Sequence, residues 1–258
     1  MKERWFTTID THCHLNDPMF NGEVDQIVNN FLSAGVDKAI CIGCCVESSR
    51  DCIELANKYD CIYCTIGVHP SDCEKYNEQA LIDMLKEKYN KIVAIGEIGL
   101  DYYYGKDNKE KQMEVFKKQI KLANEYKLPI VIHCRDAYGD TLNILKEYKP
   151  QYGAVMHCYS GSLEFANEII KLGYYISFTG SVTFNNVRNL HNVAKNTPID
   201  KFFFETDSPY LTPVPNRGKR NEPKNVLDVA RFVADLRGID ANELIKITDN
   251  TAKKFFNI

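Results

Sequence analysis

Short apolar runs alternate with longer amphipathic stretches from one end of the chain to the other, and the alternation repeats eight times. The runs are WFTTID (5–10), KAICIG (38–43), CIYCTIG (61–67), KIVAIGEI (91–98), PIVIHC (129–134), GAVMHC (153–158), YYISFTG (174–180) and KFFFETD (201–207). Most are near-continuous and rich in β-branched or aromatic residues, the pattern of parallel strands covered on the outer face. Helix-period stretches separate them: 24–35, 46–59, 78–89, 108–128, 141–148, 162–173 and 186–196. After the eighth run come 225–238 and a second helical pair. Gly35 is placed to stop the first helix. Eight β-then-α units in 258 residues predict an α/β fold, a single (β/α)8 TIM barrel. An open doubly wound sheet is the alternative, but even spacing without a Ser/Gly/Pro-rich linker favours closure. Residues 1–258 are therefore read as one domain.

Composition narrows the function classes. Apolar residues make up 44% and charged residues 26%, which excludes disorder and collagen-like repeats. Net charge is −3, so a broad basic face for nucleic acid is not expected, and a polyanionic substrate needs a local positive site. No apolar run approaches the ~18 residues of a membrane span. There are ten cysteines, yet the opening MKERWFTTIDTH has no apolar leader. The expected compartment is the reducing cytoplasm, with free thiols acting mostly as small hydrophobes. Cys61 and Cys64 form a CxxC pair inside a strand pattern, where residues three apart face opposite ways, so no zinc knuckle is expected.

Polar residues gather at the ends of the predicted strands. His12 and His14 follow the first, His69 the third, Glu97 ends the fourth, His133 the fifth, His157 the sixth and Asp207 the eighth. Only His191 among the six histidines lies elsewhere, in a helical stretch. In a barrel these ends meet at one mouth, where active sites sit. Packing gives no reason to cap a core with imidazoles and carboxylates, since apolar groups cost less there. The reading is a metal site. Residues i and i+2 of an extended segment share a face, so His12 and His14 can hold one ion. Nitrogen and oxygen donors suit divalent Zn, Mn, Mg or Co, and Glu97 is placed to bridge two ions. Cys134 and Cys158 each follow a candidate ligand, and strand alternation points both thiols away from the site.

The motifs IDTHCHL (9–15), IGVHP (66–70), GEIGLDYY (96–103), IHCRDA (132–137), HCYSG (157–161), ETDSPYLTP (205–213) and RGKRNEP (217–223) together resemble the TatD-like metal-dependent deoxyribonucleases, within the amidohydrolase-type barrel superfamily. The resemblance runs from residue 9 to about 250. It implies a hydrolase of DNA phosphodiester bonds with two divalent metal ions. One ion would sit on His12, His14, Glu97 and Asp207, the other on Glu97, His133 and His157. The substrate-side histidine falls on His69, and the late basic motif on Arg217, Arg220, Asn221 and Glu222. Glu205 also matches, placed either to reach the metals or to order their ligands.

On this reading a metal-activated water attacks phosphorus, and Asp207 orients and deprotonates it. Arg217 and Arg220 grip phosphate, with Lys219 and His69 as further donors. Metals and a few loop cations replace a basic face, which suits an exonuclease acting on single-stranded DNA or ends. No obligatory protein partner is expected. Tyr102, Tyr103 and Tyr104 either stack on a base or sugar or anchor their loop. The rival reading is an amidohydrolase-type hydrolase of a small amide, lactone or phosphoester on the same site. Glu97 at the bridging position, where that rival would place a carboxylated lysine, argues against it.

Overall fold

A computed structural model of the chain describes residues 8–87 and 91–258. Eight parallel strands lie side by side in sequence order: β1 (Thr8–Cys13), β2 (Val36–Ile42), β3 (Ile62–Ile66), β4 (Ile92–Asp101), β5 (Ile130–Arg135), β6 (Ala154–Met156), β7 (Tyr175–Phe178) and β8 (Phe202–Phe204). A parallel bridge between Cys13 and Ser208 joins the first strand to the chain just past the last. Beside it Thr11 Oγ1 donates to the Phe204 carbonyl at 3.1 Å. The sheet thus curls into the expected (β/α)8 barrel.

The helices are α1 (Val24–Ala34), α2 (Val46–Lys58), α3 (Glu78–Leu85), α4 (Lys109–Glu125), α5 (Tyr138–Tyr148), α6 (Leu163–Lys171), α7 (Arg188–Asn196), α8 (Val226–Arg237) and α9 (Ala241–Phe256). Gly35 ends α1 with a left-handed φ of 99°, and its N–H closes on the carbonyls of Phe31 and Leu32. Cys45 starts α2 with a reciprocal cap: its Sγ accepts from Ser48 N–H, and Ser48 Oγ accepts from Cys45 N–H.

Two apolar layers follow from the period-2 pleat. In β2, Ala39 and Cys41 face the helices, whereas Ile40 and Ile42 join an inner cluster with Val93, Val131, Val155 and Phe203. Ala252 and Phe256 of α9 complete that inner cluster against strand beginnings, so the last helix stoppers the end opposite the strand C-termini. The ten cysteines are free thiols, and Cys41 and Cys64 pack in the layer between strands and helices.

Several boundaries differ from the sequence reading. Residues 5–7 of the first predicted strand and 88–89 of the third predicted helix lie outside the described residues. The described part of β1 runs on to Cys13, so His12 is inside the strand. β4 continues to Asp101, which puts Glu97 in its interior rather than at its end. β6 and β8 stop early, leaving His157 and Asp207 on the connecting chain. α5 starts three residues before the predicted 141. One helix, not a pair, follows α8.

Candidate metal centre

The backbone fixes the site before any side chain does. Asp10, fully buried in β1, accepts from Thr206 Oγ1 at 2.6 Å, Thr206 N–H at 2.9 Å and His12 N–H at 3.3 Å. Asp207 N–H donates to the His12 carbonyl at 2.9 Å, and His14 N–H to the Ser208 carbonyl at 2.8 Å. The two ends of the barrel seam are therefore laced together at the residues that carry His12, His14 and Asp207. Asp207 itself takes a left-handed φ of 55°. On the other side of β1, the chain leaving β2 holds two more site residues. Gly43 carbonyl accepts from Glu97 N–H and Cys44 carbonyl from His69 N–H, both at 2.8 Å. Gly99 has φ 139°, and a side chain there would collide with the His133 carbonyl, so glycine is what lets β4 lie against β5 beside the site.

Glu97 is the hub. Its Oε1 lies 2.8 Å from His157 Nε2, 2.9 Å from His133 Nδ1 and 3.6 Å from His69 Nε2. Its Oε2 is 3.5 Å from His12 Nε2. His12 Nε2 and His14 Nε2 face each other at 3.3 Å, with Asp207 Oδ1 3.6 Å from the first and 3.2 Å from the second. His12 and His157 stack at 4.0 Å between centroids. Glu205, buried beyond His157, accepts from Cys158 N–H at 2.7 Å and lies 3.5 Å from His157 Nδ1.

Electrostatics single out the same residues. Burial pushes the Glu97 carboxyl up, but His157, His69, His12 and His133 outweigh it and hold it well below the usual carboxylate range. Burial likewise opposes ionisation of Asp207, and His14, His12 and His157 hold it down. Burial drives the His69 imidazole down to about 4. Three sets of donors lie close enough to share an ion: His12–His14–Glu97, His12–His157–Glu205 and His69–Glu97–His133. The donor set fits a divalent cation. His12 Nδ1 is buried without a partner, and the Nε2 atoms of His12 and His14 point at each other across a carboxylate. Imidazole nitrogens that converge beside carboxylates offer the N and O donors a divalent cation takes.

All six residues expected to hold metal come together here, and His69 joins them against Glu97 and His133. The late basic motif divides. Arg217 is exposed, its guanidinium 3.7 Å over the Phe184 ring, and no carboxylate pairs with it among the described residues. Arg220, expected on phosphate, is instead committed to Glu23 at 2.7 and 3.2 Å and to the Met19 carbonyl at 2.6 Å. Asn221, also expected on phosphate, is 0% exposed. Its amide donates to the Thr206 and Tyr210 carbonyls, and its Oδ1 accepts from Asn225 and from Glu222 N–H. No face of Asn221 is left for substrate, and its work is to pin the chain around Asp207.

Two site residues were missed. Asp101 Oδ2 bonds His133 Nε2 at 3.1 Å. Once β4 is known to be ten residues long, Asp101 shares a face with Glu97, and that periodicity was the available signal. Cys44 Sγ lies 3.7 Å from Glu97 Oε2 and 3.9 Å from His14 Nδ1, and nothing in its spacing marked it. Cys134 turns away as expected, toward Thr141 Oγ1. Cys158 does not follow strand alternation. It lies beyond β6 with φ 45°, its Sγ 3.4 Å from Thr179 Oγ1 at the mouth, within the field of Asp207 and His157.

A (β/α)8 barrel with clustered imidazoles and carboxylates at its C-terminal mouth has the build of a metal-dependent hydrolase. The comparisons carry this further. The family model described as "TatD related DNase" matches residues 9–257. The metal-dependent hydrolase YabD of Bacillus subtilis (strain 168) is 42% identical over 252 residues, covering 96% of this chain and 98% of its own. YcfH of Escherichia coli (strain K12), also named a metal-dependent hydrolase, is 36% identical over 255 residues, covering 97% and 96%. Among solved structures, YJJV, a TatD homolog from Escherichia coli K12, superposes with a TM-score of 0.92 at 31% identity over 97% of this chain and 98% of that one. The chain belongs to the TatD-related DNase family of metal-dependent hydrolases. No helix among the described residues is long and apolar enough to cross a membrane.

Proposed function

We propose that the protein hydrolyses phosphodiester bonds of DNA, acting as an exonuclease on single strands or ends, in the cytoplasm. The observation that carries the reading is the Glu97 hub, one buried carboxylate shared by four imidazoles at the strand ends. In this proposal His12, His14, Glu97 and Asp207 hold one divalent ion, and Glu97, His133 and His157 a second. Bound metal would place positive charge beside phosphoryl oxygens and lower the pKa of water toward ~7. The chain's own groups do the rest. Asp207, low in pKa and beside His12 and His14, orients the attacking water and takes its proton. Water oxygen bonds to phosphorus, the P–O ester bond breaks, and the leaving oxygen receives the proton that Asp207 took from the water. His69, neutral at pH 7, and Arg217, which has no carboxylate partner among the described residues, supply donors to the phosphate. Arg220 and Asn221 support the loop that carries Arg217.

The test is digestion of end-labelled single- and double-stranded DNA and RNA across a series of divalent metals. p-Nitrophenyl phosphodiesters, amides and lactones are run beside them. Progressive shortening of labelled DNA from one end is the expected result. Turnover confined to an amide or lactone, with all phosphodiesters intact, overturns it in favour of the amidohydrolase reading.

A further inference from the structure

Two exposed aromatic rings stand at the rim of the mouth, directly after β4. Tyr103 is 52% and Tyr104 74% exposed, and the rings meet edge to face at 4.7 Å. The third tyrosine of the run is different. Tyr102 is buried, and its hydroxyl donates to Asp140 at 2.8 Å, so it anchors the loop. Arg135 lies over both exposed rings, its guanidinium 4.0 Å from the Tyr103 centroid and 4.9 Å from that of Tyr104. Arg135 is exposed, and no carboxylate pairs with it among the described residues.

The position of this trio is set by the metal centre itself. Asp101 accepts from Tyr103 N–H at 2.9 Å and Tyr104 N–H at 2.8 Å through one oxygen, and contacts His133 with the other. Arg135 is two residues past His133 on β5, so the two side chains share a face about 6.6 Å apart along the strand. A strand whose phosphate reached Glu97 would bring its neighbouring nucleotide over this trio. We propose that Tyr103, Tyr104 and Arg135 form the subsite for the unpaired base beside the scissile phosphate, with Arg135 also drawing in the adjoining phosphate. Ring faces and a planar cation bind any base by stacking, without reading sequence. A paired base keeps its faces covered by its neighbours, so the subsite selects single strands over duplex.

This inference rests on the proposed phosphodiesterase reading. The test measures KM and kcat of the metal-loaded protein on a labelled single-stranded DNA oligomer. It is repeated with one abasic residue moved along the strand. Tyr103→Ala/Tyr104→Ala is expected to raise KM about 10- to 100-fold, with the loss falling in KM more than kcat. Tyr103→Phe/Tyr104→Phe should stay near wild type, since the faces remain. The abasic residue should weaken the wild type at one register and weaken the alanine variant no further. Arg135→Gln should flatten the salt dependence by about one phosphate contact. Cleavage that ignores both the abasic residue and the alanine variant overturns the subsite and leaves the nuclease reading intact. Absence of oligonucleotide cleavage by the wild type overturns that reading itself, and the subsite with it.

Discussion

Asp207 is the residue at which position and chemistry can be separated by one substitution. Its backbone is fixed by the His12 carbonyl and by Asn221, which pins the Thr206 and Tyr210 carbonyls on either side of it. Its carboxylate, by contrast, meets the imidazoles of His12 and His14. Asp207→Asn therefore keeps the fold and removes the proton acceptor. We expect at least ~100-fold loss of kcat at saturating metal, with the melting temperature of the metal-free protein close to wild type. A folded Asp207→Asn variant with undiminished turnover would sink the assignment. The candidate ligands were legible together rather than singly, because imidazoles and carboxylates gathered at one mouth have no cheaper reason to cap a barrel. Arg220 and Asn221 were misread for the opposite reason. Their partners, Glu23 at the start of α1 and the carbonyls around Asp207, are set by the closed chain and leave no local pattern. Cys44 escaped because a thiol in an apolar run looks the same whether it packs or faces a site.

Among elements, the strands were legible in number, order and approximate place, because each apolar run is bounded by a helix-period stretch. Their ends were not. A parallel strand lasts as long as its neighbours supply partners, so β4 extends to Asp101 opposite Arg135. Past β8, Glu205 N–H still reaches the Phe178 carbonyl, but Thr206 N–H is taken by the Asp10 carboxylate and the ladder ends. The seam between α9 and β1 offers a test at this scale. Asp249 of α9 accepts from Thr8 Oγ1 at 3.1 Å and Ile9 N–H at 3.3 Å, while its second oxygen is buried without a partner. Burial raises its pKa to about 7, against ~3.9 in an unfolded chain. The folded state thus binds the extra proton, and its benefit is complete below pH ~4 and lost as pH rises through 7. Asparagine mimics the protonated acid. Asp249→Asn should match wild type near pH 3.5 and be more stable near pH 8, by on the order of 4 kcal/mol. Denaturant melts at the two pH values read this directly. An equal difference at both would remove the buried carboxylate as its cause.

For the molecule as a whole, the near-neutral net charge of −3 gave no reason to expect a basic face and so first argued against a polyanionic substrate. A metal centre changes that balance, because positive charge enters with the ion and is delivered at the mouth alone. The same ion has a mechanical consequence. The candidate ligands come from β1, β4 and β5 and from the chain just past β6 and β8, so one site joins both sides of the barrel seam. An unfolded chain cannot gather these donors, and metal binding must therefore add to folding stability. At a free metal concentration of about 100 Kd the gain is ~2.7 kcal/mol, which for a chain of this size raises the melting temperature by roughly 5 to 10 °C. Chelation should remove both this gain and the turnover, and added Zn, Mn, Mg or Co should restore them together. Glu97→Gln takes away the shared carboxylate and should lose most of the metal-dependent shift while still melting cooperatively. A melting temperature and a rate that both survive exhaustive chelation would mean that the convergent imidazoles do not serve a metal, however well they are placed for one.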